Sequence, residues 1–368
     1  MKNNQIIVGI TQGDINGIGY EVIIKALEDV RILELCTPVI YGSPKVAAYH
    51  KKVLEVETIN FTQIRSADEI DIHKFNIINC CDDNVRVELG KVSQVAGEAA
   101  YLALEHAVND LKAGKIDVLV TAPVNKEAIQ SNRFHFPGHT EFLADQFDVK
   151  EPLMLLISDG IKVGVVVGHA PLKDVPALIT KELIVSKLKI LHKSLVSDFA
   201  CTNPRIAVLG LNPHAGDNGL LGDEEQRIIK PALEEAEKKG ITALGPYAAD
   251  GFFGSGNYTK FDAILAMYHD QGLAPFKALT FDRGVNFTAG LPVIRTSPGH
   301  GTAFDIAGQN LATHESFLQA IYFAIDIFRN RKIYKEASKN PLQRYEINAN
   351  GETDDIDLMS IEEPQQFL

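Results

Sequence analysis

The sequence predicts an α/β protein organised around a mostly parallel β-sheet. Strand-sized apolar runs alternate with helical patterns through most of the chain. Many of these runs are apolar on both alternating positions, which a sheet covered on both faces requires. With 368 residues, 45% hydrophobic and 23% charged, the chain carries apolar material for one large or two ordinary domains. In folds of this class ligands collect at the carboxyl ends of strands, near a crevice between lobes.

Strands are expected at residues 5–10, 38–41, 75–78, 117–121, 153–157, 162–167, 205–211 and 262–267. The first runs into Thr11–Gln12–Gly13–Asp14–Ile15–Asn16–Gly17–Ile18–Gly19, then a helix beginning near Tyr20. After Gly17 and Gly19 the third position of a dinucleotide G-x-G-x-x-G is Val22, and no G-x-x-x-x-G-K-[ST] occurs. This loop is either a tight βα turn or a close backbone approach to a ligand. Ser93 can cap a helix whose Ala100, Ala103, Leu104, Ala107, Val108 and Leu111 share one face, and Gly114 stops it. Asp223 with Gln226 resembles a capping box ahead of Ile228, Ile229, Ala232, Leu233 and Ala236, in a helix that ends at Gly240. The last helix covers about residues 316–331. After Lys332 the chain turns polar and acidic, as in Gly351–Glu352–Thr353–Asp354–Asp355, and reads as a C-terminal appendage.

The bulk properties exclude several classes. The net charge of -12, with no Lys/Arg stripe to offset it, argues against nucleic acid as a partner. An anionic substrate has to be captured by a few local cations against the overall field. No apolar run approaches a membrane span. The N-terminus enters a strand almost at once, so no signal peptide is expected. Cys36, Cys80, Cys81 and Cys201 form no CxxC pair, and a reducing cytoplasm is the simplest expectation.

Three histidines follow apolar runs in loop chemistry: Val167–Gly168–His169–Ala170–Pro171, Leu211–Asn212–Pro213–His214–Ala215–Gly216, and Tyr268–His269–Asp270–Gln271–Gly272. A lone histidine more often bonds a loop backbone. Three in matching contexts make a candidate divalent-metal site with open coordination positions. Thr121–Ala122–Pro123–Val124–Asn125–Lys126 follows another strand and offers Lys126, a surface lysine or a phosphate and acid/base group. In Phe136–Pro137–Gly138–His139–Thr140–Glu141, Thr140 could be a helix N-cap, which leaves His139 unexplained; polar contact to substrate is the sharper reading. Lys277, Asn286 and Arg295 supply a cation, an amide and a second cation soon after His269, suited to a phosphate or carboxylate. In Ser297–Pro298–Gly299–His300–Gly301–Thr302–Ala303–Phe304–Asp305, glycines and small residues let backbone approach a flat ligand. Lys126, Asp250 and Asp270 are candidate proton carriers.

Together these strings resemble the 4-hydroxythreonine-4-phosphate dehydrogenase family of pyridoxal phosphate biosynthesis, from Gly9–Ile10–Thr11–Gln12–Gly13–Asp14 through about Arg331. The combination of Gly138–His139–Thr140–Glu141, Asn212–Pro213–His214–Ala215–Gly216 and Tyr268–His269–Asp270–Gln271–Gly272 is highly specific. The string from Gly299 to Asp305 also resembles the adenosine-binding loop of isocitrate and isopropylmalate dehydrogenases. Asn125 departs from the family, some members having histidine there, and so does the run Gly216–Asp217–Asn218–Gly219–Leu220–Leu221.

The resemblance implies two α/β/α lobes of the isocitrate/isopropylmalate dehydrogenase-like type, with the active site in the interdomain cleft. It implies a first lobe of residues 1–128 plus 277–331 carrying the NAD loop, a second of 129–276 with the metal ligands and dimer contacts, and residues 332–368 as the appendage. His169, His214 and His269 become ligands of a divalent metal (Zn, Mg or Co), one of them contributed across a homodimer. His139, Thr140, Lys277, Asn286 and Arg295 become substrate contacts, and Gly299, His300, Gly301 and Asp305 contacts to NAD or NADP. The implied reaction is NAD(P)-dependent oxidation of 4-phosphooxy-L-threonine at C3, followed by β-decarboxylation to 3-amino-2-oxopropyl phosphate. A paralogous branch oxidises phosphorylated threonate or erythronate, and a three-His metallohydrolase without NAD is the alternative from another class.

Overall fold

The computed structural model describes residues 5–82 and 85–341. One continuous 12-stranded sheet runs through them. Its strands are β1 (Ile6–Thr11), β2 (Cys36–Gly42), β3 (Phe61–Ile64), β4 (Phe75–Asn79), β5 (Val118–Thr121), β6 (Leu153–Ser158), β7 (Ile161–Val167), β8 (Arg205–Leu209), β9 (Thr242–Tyr247), β10 (Ala263–Tyr268), β11 (Val285–Ala289) and β12 (Arg295–Pro298). Their order is β3-β4-β2-β1-β5-β12-β11-β6-β7-β10-β8-β9. The two flanks are parallel: β3 to β12 on one side, β7-β10-β8-β9 on the other. The centre is antiparallel, where β12, β11, β6 and β7 pair in succession. The expected α/β architecture, with a mostly parallel sheet, is what forms.

All eight expected strands are present. Four more were not legible, for two reasons. β3 and β9 are edge strands with mixed burial, so neither shows a sustained apolar pattern. β11 and β12 are central and buried, but Asn286 and Thr288 break the apolar run of the first, and the second, Arg295–Thr296–Ser297–Pro298, has none, so both read as loop. These polar side chains stand on the middle of the sheet.

The helices follow from their caps and faces. Ser93 Oγ accepts a hydrogen bond from Ala96 N at the start of the helix Gln94–Lys112, and Gly114 ends it at φ +69. Its face of Ala100, Ala103, Leu104, Ala107, Val108 and Leu111 is buried against the sheet. A fully buried leucine such as Leu104 contributes about 1.5–3 kcal/mol. Two helix expectations need correction. The Asp223–Gln226 capping box does not form, because Asp223 pairs with Arg227 and no side chain caps the turn. Glu225 instead turns inward, and Glu225–Ile229 winds as a π-turn before the helix Lys230–Lys238. The last helix spans Glu315–Ala337, continuing past Arg331 through good helix formers as far as the approach to Pro341. Most of the expected appendage, including the acidic run after Gly351, lies outside the described residues. Among the described residues no helix is long and apolar enough to cross a membrane.

Gly97 marks the closest approach between the helix Gln94–Lys112 and the segment that follows β5. A Cβ there would collide with the Ala128 carbonyl. Gly97→Ala is expected to cost about 1–3 kcal/mol through overpacking, seen as a lower urea midpoint with an unchanged m-value. An unmoved midpoint would show that the two segments do not meet in this way.

Candidate active site

A cavity of about 250 Å3 opens at the central antiparallel strands. β5 contributes Thr121, β12 Arg295, β11 Asn286 and β6 Leu156. His169 follows the end of β7, and His269 opens the helix after β10, His269–Thr280, which also carries Lys277. His139, Thr140 and Glu141 come from the first turn of the helix His139–Gln146. Gly138 is the N-cap residue, so Thr140 is not the cap; its hydroxyl lies 3.4 Å from that of Thr288 on β11.

Arg295 dominates the electrostatics. It is 3% exposed, and its guanidinium donates to the Thr121 hydroxyl at 3.1 and 2.6 Å and to Thr288 Oγ1 at 3.5 Å. Among the described residues no carboxylate lies within ion-pair distance of it. Burial lowers its pKa to about 10, with the Glu141 charge opposing the shift. A cation so placed is short of an anion. His139 Nε2 is enclosed and has no hydrogen-bond partner. Burial, and then the Arg295 and Lys126 charges, hold this imidazole well below its usual pKa, so it is neutral. Burial also lowers His300, with Lys277 adding to the shift. Asn286 Oδ1 and His300 Nε2 are likewise enclosed and unpartnered. The cavity therefore presents polar atoms that lack partners within the protein, as a ligand site does.

The His169 and His269 rings stand 6.1 Å apart, centroid to centroid. His169 Nδ1 lies 3.2 Å from Glu141 Oε1, and His269 Nδ1 lies 2.6 Å from Asp270 Oδ1. An ionised carboxylate only accepts, so each Nδ1 is the donor and Nε2 is the nitrogen of each ring left to meet a ligand. This is the outer-shell arrangement that orients histidines for a metal. The His169 hydrogen bond also holds the Glu141 carboxyl below its ordinary pKa, against burial. His214 does not line the cavity. It is exposed on a turn after β8, and among the described residues no group of three or more His, Cys, Asp or Glu is gathered as a metal site. That turn is unusual: His214, Ala215, Gly216, Asp217 and Asn218 have φ of 53, 52, 77, 41 and 56°. Left-handed backbone costs about 1–2 kcal/mol per non-glycine residue, less for Asn and Asp.

Gly299, His300 and Gly301 line this cavity, and Gly299, His300 and Lys277 also line a second one of about 490 Å3. The second is walled by apolar groups including Ile18, Phe276, Ile306 and Leu311. Asp305 lies outside both and is exposed. The first loop forms a tight turn, with Asp14 N donating to the Pro123 carbonyl and Ile18 N to the Thr302 carbonyl. Of the proton-carrier candidates, Lys126 lines the first cavity, Asp270 is engaged with His269, and Asp250 lines neither. Asn125 is a turn former, accepting from the backbone N–H groups of Glu127 and Ala128. Sequence reasoning did not assign roles to Thr121 and Glu141. Their partners, Arg295 and His169, are distant in the chain, and no local pattern signals such pairs.

A sequence model of the family described as "Pyridoxal phosphate biosynthetic protein PdxA" matches residues 34–324. The chain is 56% identical over 364 residues to a 4-hydroxythreonine-4-phosphate dehydrogenase from Bacteroides thetaiotaomicron, covering 99% of this chain and 100% of that one. It is 41% identical over 326 residues to a protein from Oceanobacillus iheyensis named "Putative D-threonate 4-phosphate dehydrogenase", covering 87% of this chain and 97% of that one. A crystal structure of 4-hydroxythreonine-4-phosphate dehydrogenase from Klebsiella pneumoniae superposes with a TM-score of 0.78 at 34% identity, covering 89% of this chain and 99% of that one.

The neutral state of His139 has a consequence for stability. Below about pH 6.5 the unfolded chain protonates this imidazole and the native chain does not, so stability falls as pH drops through that value. His139→Gln is expected to flatten the decline between about pH 6.5 and 5, by at most about 1.4 kcal/mol per pH unit. Urea titrations across that range measure it. His50 and His300 are also lowered by burial, so part of the slope remains. An identical slope in the variant would show that native His139 titrates normally.

Proposed function

The chain belongs to the pyridoxal phosphate biosynthetic protein PdxA family, and on that premise we propose that it oxidises 4-phosphooxy-L-threonine at C3 with NAD(P)+ and then decarboxylates the product. The observation that carries this reading is the buried Arg295 without a carboxylate partner, in a cavity that also holds Lys126 and Lys277. Such a site takes a small multiply charged anion. Arg295 and Lys277 bind its phosphate and carboxylate, and His139 and Asn286 add polar contacts.

His169 and His269 would hold a divalent ion, with His214 of a second copy of the chain as the third ligand. Nitrogen ligands suit Zn2+ or Co2+ better than Mg2+. Such an ion would supply Lewis acidity toward the oxygen at C3. Gly299 and the apolar cavity beside it would hold NAD(P)+, which would supply the hydride acceptor. The C3 hydrogen would depart as hydride to NAD(P)+ and the hydroxyl proton would pass to solvent, the Lys126 charge in the same cavity favouring its loss. The resulting β-keto acid loses its carboxylate as CO2, and a proton takes its place at C2, giving 3-amino-2-oxopropyl phosphate. Glu141 and Asp270 keep the two imidazoles in the tautomer this arrangement needs.

The similarity to the Oceanobacillus protein favours a second reading, oxidation of 4-phospho-D-threonate. One feature supports the amino acid over the sugar acid. Glu141 Oε2 is enclosed and unpartnered, which suits a ligand ammonium better than a hydroxyl. Initial rates of NADH formation on the two compounds with Zn2+ or Co2+ separate the readings. Absence of NADH with either would reject both. Within this assay, Arg295→Ala is expected to raise the substrate KM about 10- to 100-fold, from a loss of roughly 1.5–3 kcal/mol, with little change in the KM for NAD+. An equal rise in both would indicate a folding defect.

The shared metal site gives a complementation test. His169→Ala and His214→Ala should each be inactive. In a mixed dimer one site carries both substitutions and the other carries neither. After random reassortment of equal amounts about one quarter of all sites should be intact and active. Background activity, with subunit exchange verified by mass spectrometry, would reject His214 as a ligand supplied in trans.

A further inference from the structure

The left-handed turn that carries His214 is held by a buried carboxylate with no evident catalytic task. Glu225 is 1% exposed. Its Oε1 accepts from Leu211 N at 2.8 Å and from Asn212 N at 2.7 Å, and its Oε2 accepts from Asn212 Nδ2 at 3.0 Å. Among the described residues it makes no ion pair. The same Asn212 amide also donates to Glu224 at 2.7 Å. Two glycines make room for the carboxylate. A Cβ on Gly210 would lie 3.1 Å from Oε1, and one on Gly216 would lie 2.5 Å from Oε2. A second brace comes from Gln271, which accepts from Met267 N at 2.7 Å and donates to the Gly210 carbonyl at 2.6 Å. This links the start of the turn to the end of β10, two residues before His269.

A buried charge is normally paired or neutralised. Here it is compensated by loop N–H groups alone, and what it stabilises is a run of left-handed residues ending nowhere in the core. Backbone held in a sparsely populated conformation by over-determined contacts is a mark of a functional position. The product of this arrangement is one exposed imidazole, His214, whose ring makes no hydrogen bond among the described residues.

We infer that Glu225 is the positioning residue for His214: it fixes the turn that presents this imidazole, outside its own chain's cavity, to a metal ion held by a second copy of the chain. The inference rests on the reading of His214 as a metal ligand in trans. It separates Glu225 from a stabilising residue of the second lobe, because the effect must pass through His214.

The test is a double-mutant cycle in Zn2+ affinity, measured by calorimetry on the whole dimer without substrate or NAD. Glu225→Gln is expected to weaken Zn2+ binding about 10- to 100-fold, with circular dichroism unchanged. Glu225→Gln combined with His214→Ala should bind Zn2+ no more weakly than His214→Ala alone. Gly216→Ala, which drives a Cβ into Glu225 without removing its charge, should reproduce the loss and serves if Glu225→Gln does not fold. Wild-type Zn2+ affinity in both Glu225→Gln and Gly216→Ala would overturn the inference, and so would losses that add in the double variant. Wild-type affinity in His214→Ala is a different failure: it removes the ligand assignment on which the inference stands.

Discussion

The site depends on a guanidinium that the fold buries without an anion. Arg295 stands at the start of β12, where the parallel flank of the sheet gives way to antiparallel pairing. The hydroxyls that hold it come from the two neighbouring strands, Thr121 from β5 and Thr288 from β11. These bonds orient the group but cannot neutralise it. The change of strand direction thus leaves a strong positive site in a low-dielectric setting, and the groups around it respond. His139 is driven neutral beside it. Glu141, the acid that partly offsets the charge, is turned toward His169. An anionic ligand completes a charge arrangement that the protein leaves open.

The same logic links the anion subsite to the histidines. Glu141 sits in the first turn of the helix that also carries His139 and Thr140, and its far oxygen fixes the tautomer of His169. Displacing that helix would disturb the His139 and Thr140 side of the cavity and the His169 ring together. His269 depends on Asp270, its neighbour in the chain, and that bond is local. The two imidazoles reach the same state by different routes, one through long-range packing and one through adjacency. That makes His169 the more sensitive of the two to changes in the position of the helix His139–Gln146.

The sequence was a good guide where chemistry and chain order coincide. Three histidines after apolar runs mark the ends of β7, β8 and β10, and these are adjacent parallel strands in the sheet. The strings around His139, Lys277, Arg295 and Gly299 converge on one cavity. What was not legible depends on three-dimensional compensation. Polar residues disguised β11 and β12: Asn286 and Thr288 alternate with apolar positions in the first, and the second is Arg295–Thr296–Ser297–Pro298, so neither shows the continuous apolar pattern by which a buried strand is recognised. The Asp223–Gln226 spacing suggested a cap, but the Glu225 side chain won the geometry by bonding Leu211 and Asn212. The left-handed turn after Asn212 was invisible for a related reason. Of its five residues only Gly216 favours positive φ strongly, so the sequence carries little local signal for it.

The charge of -12 would seem to oppose an anionic substrate, and the geometry explains why it does not decide the matter. Exposed charges act through water, and at physiological ionic strength their reach is about 8 Å. Most of the chain's acidic groups act on an approaching ligand only through that screened medium. Arg295 acts at contact, from a position where solvent does not screen it. A unit charge at 4 Å interacts several-fold more strongly at an effective dielectric constant of about 20 than in bulk water. One enclosed guanidinium therefore weighs more at contact than each of many surface carboxylates once the ligand has entered. The long-range field acts mainly on the rate of encounter, and the enclosed guanidinium on the affinity that follows.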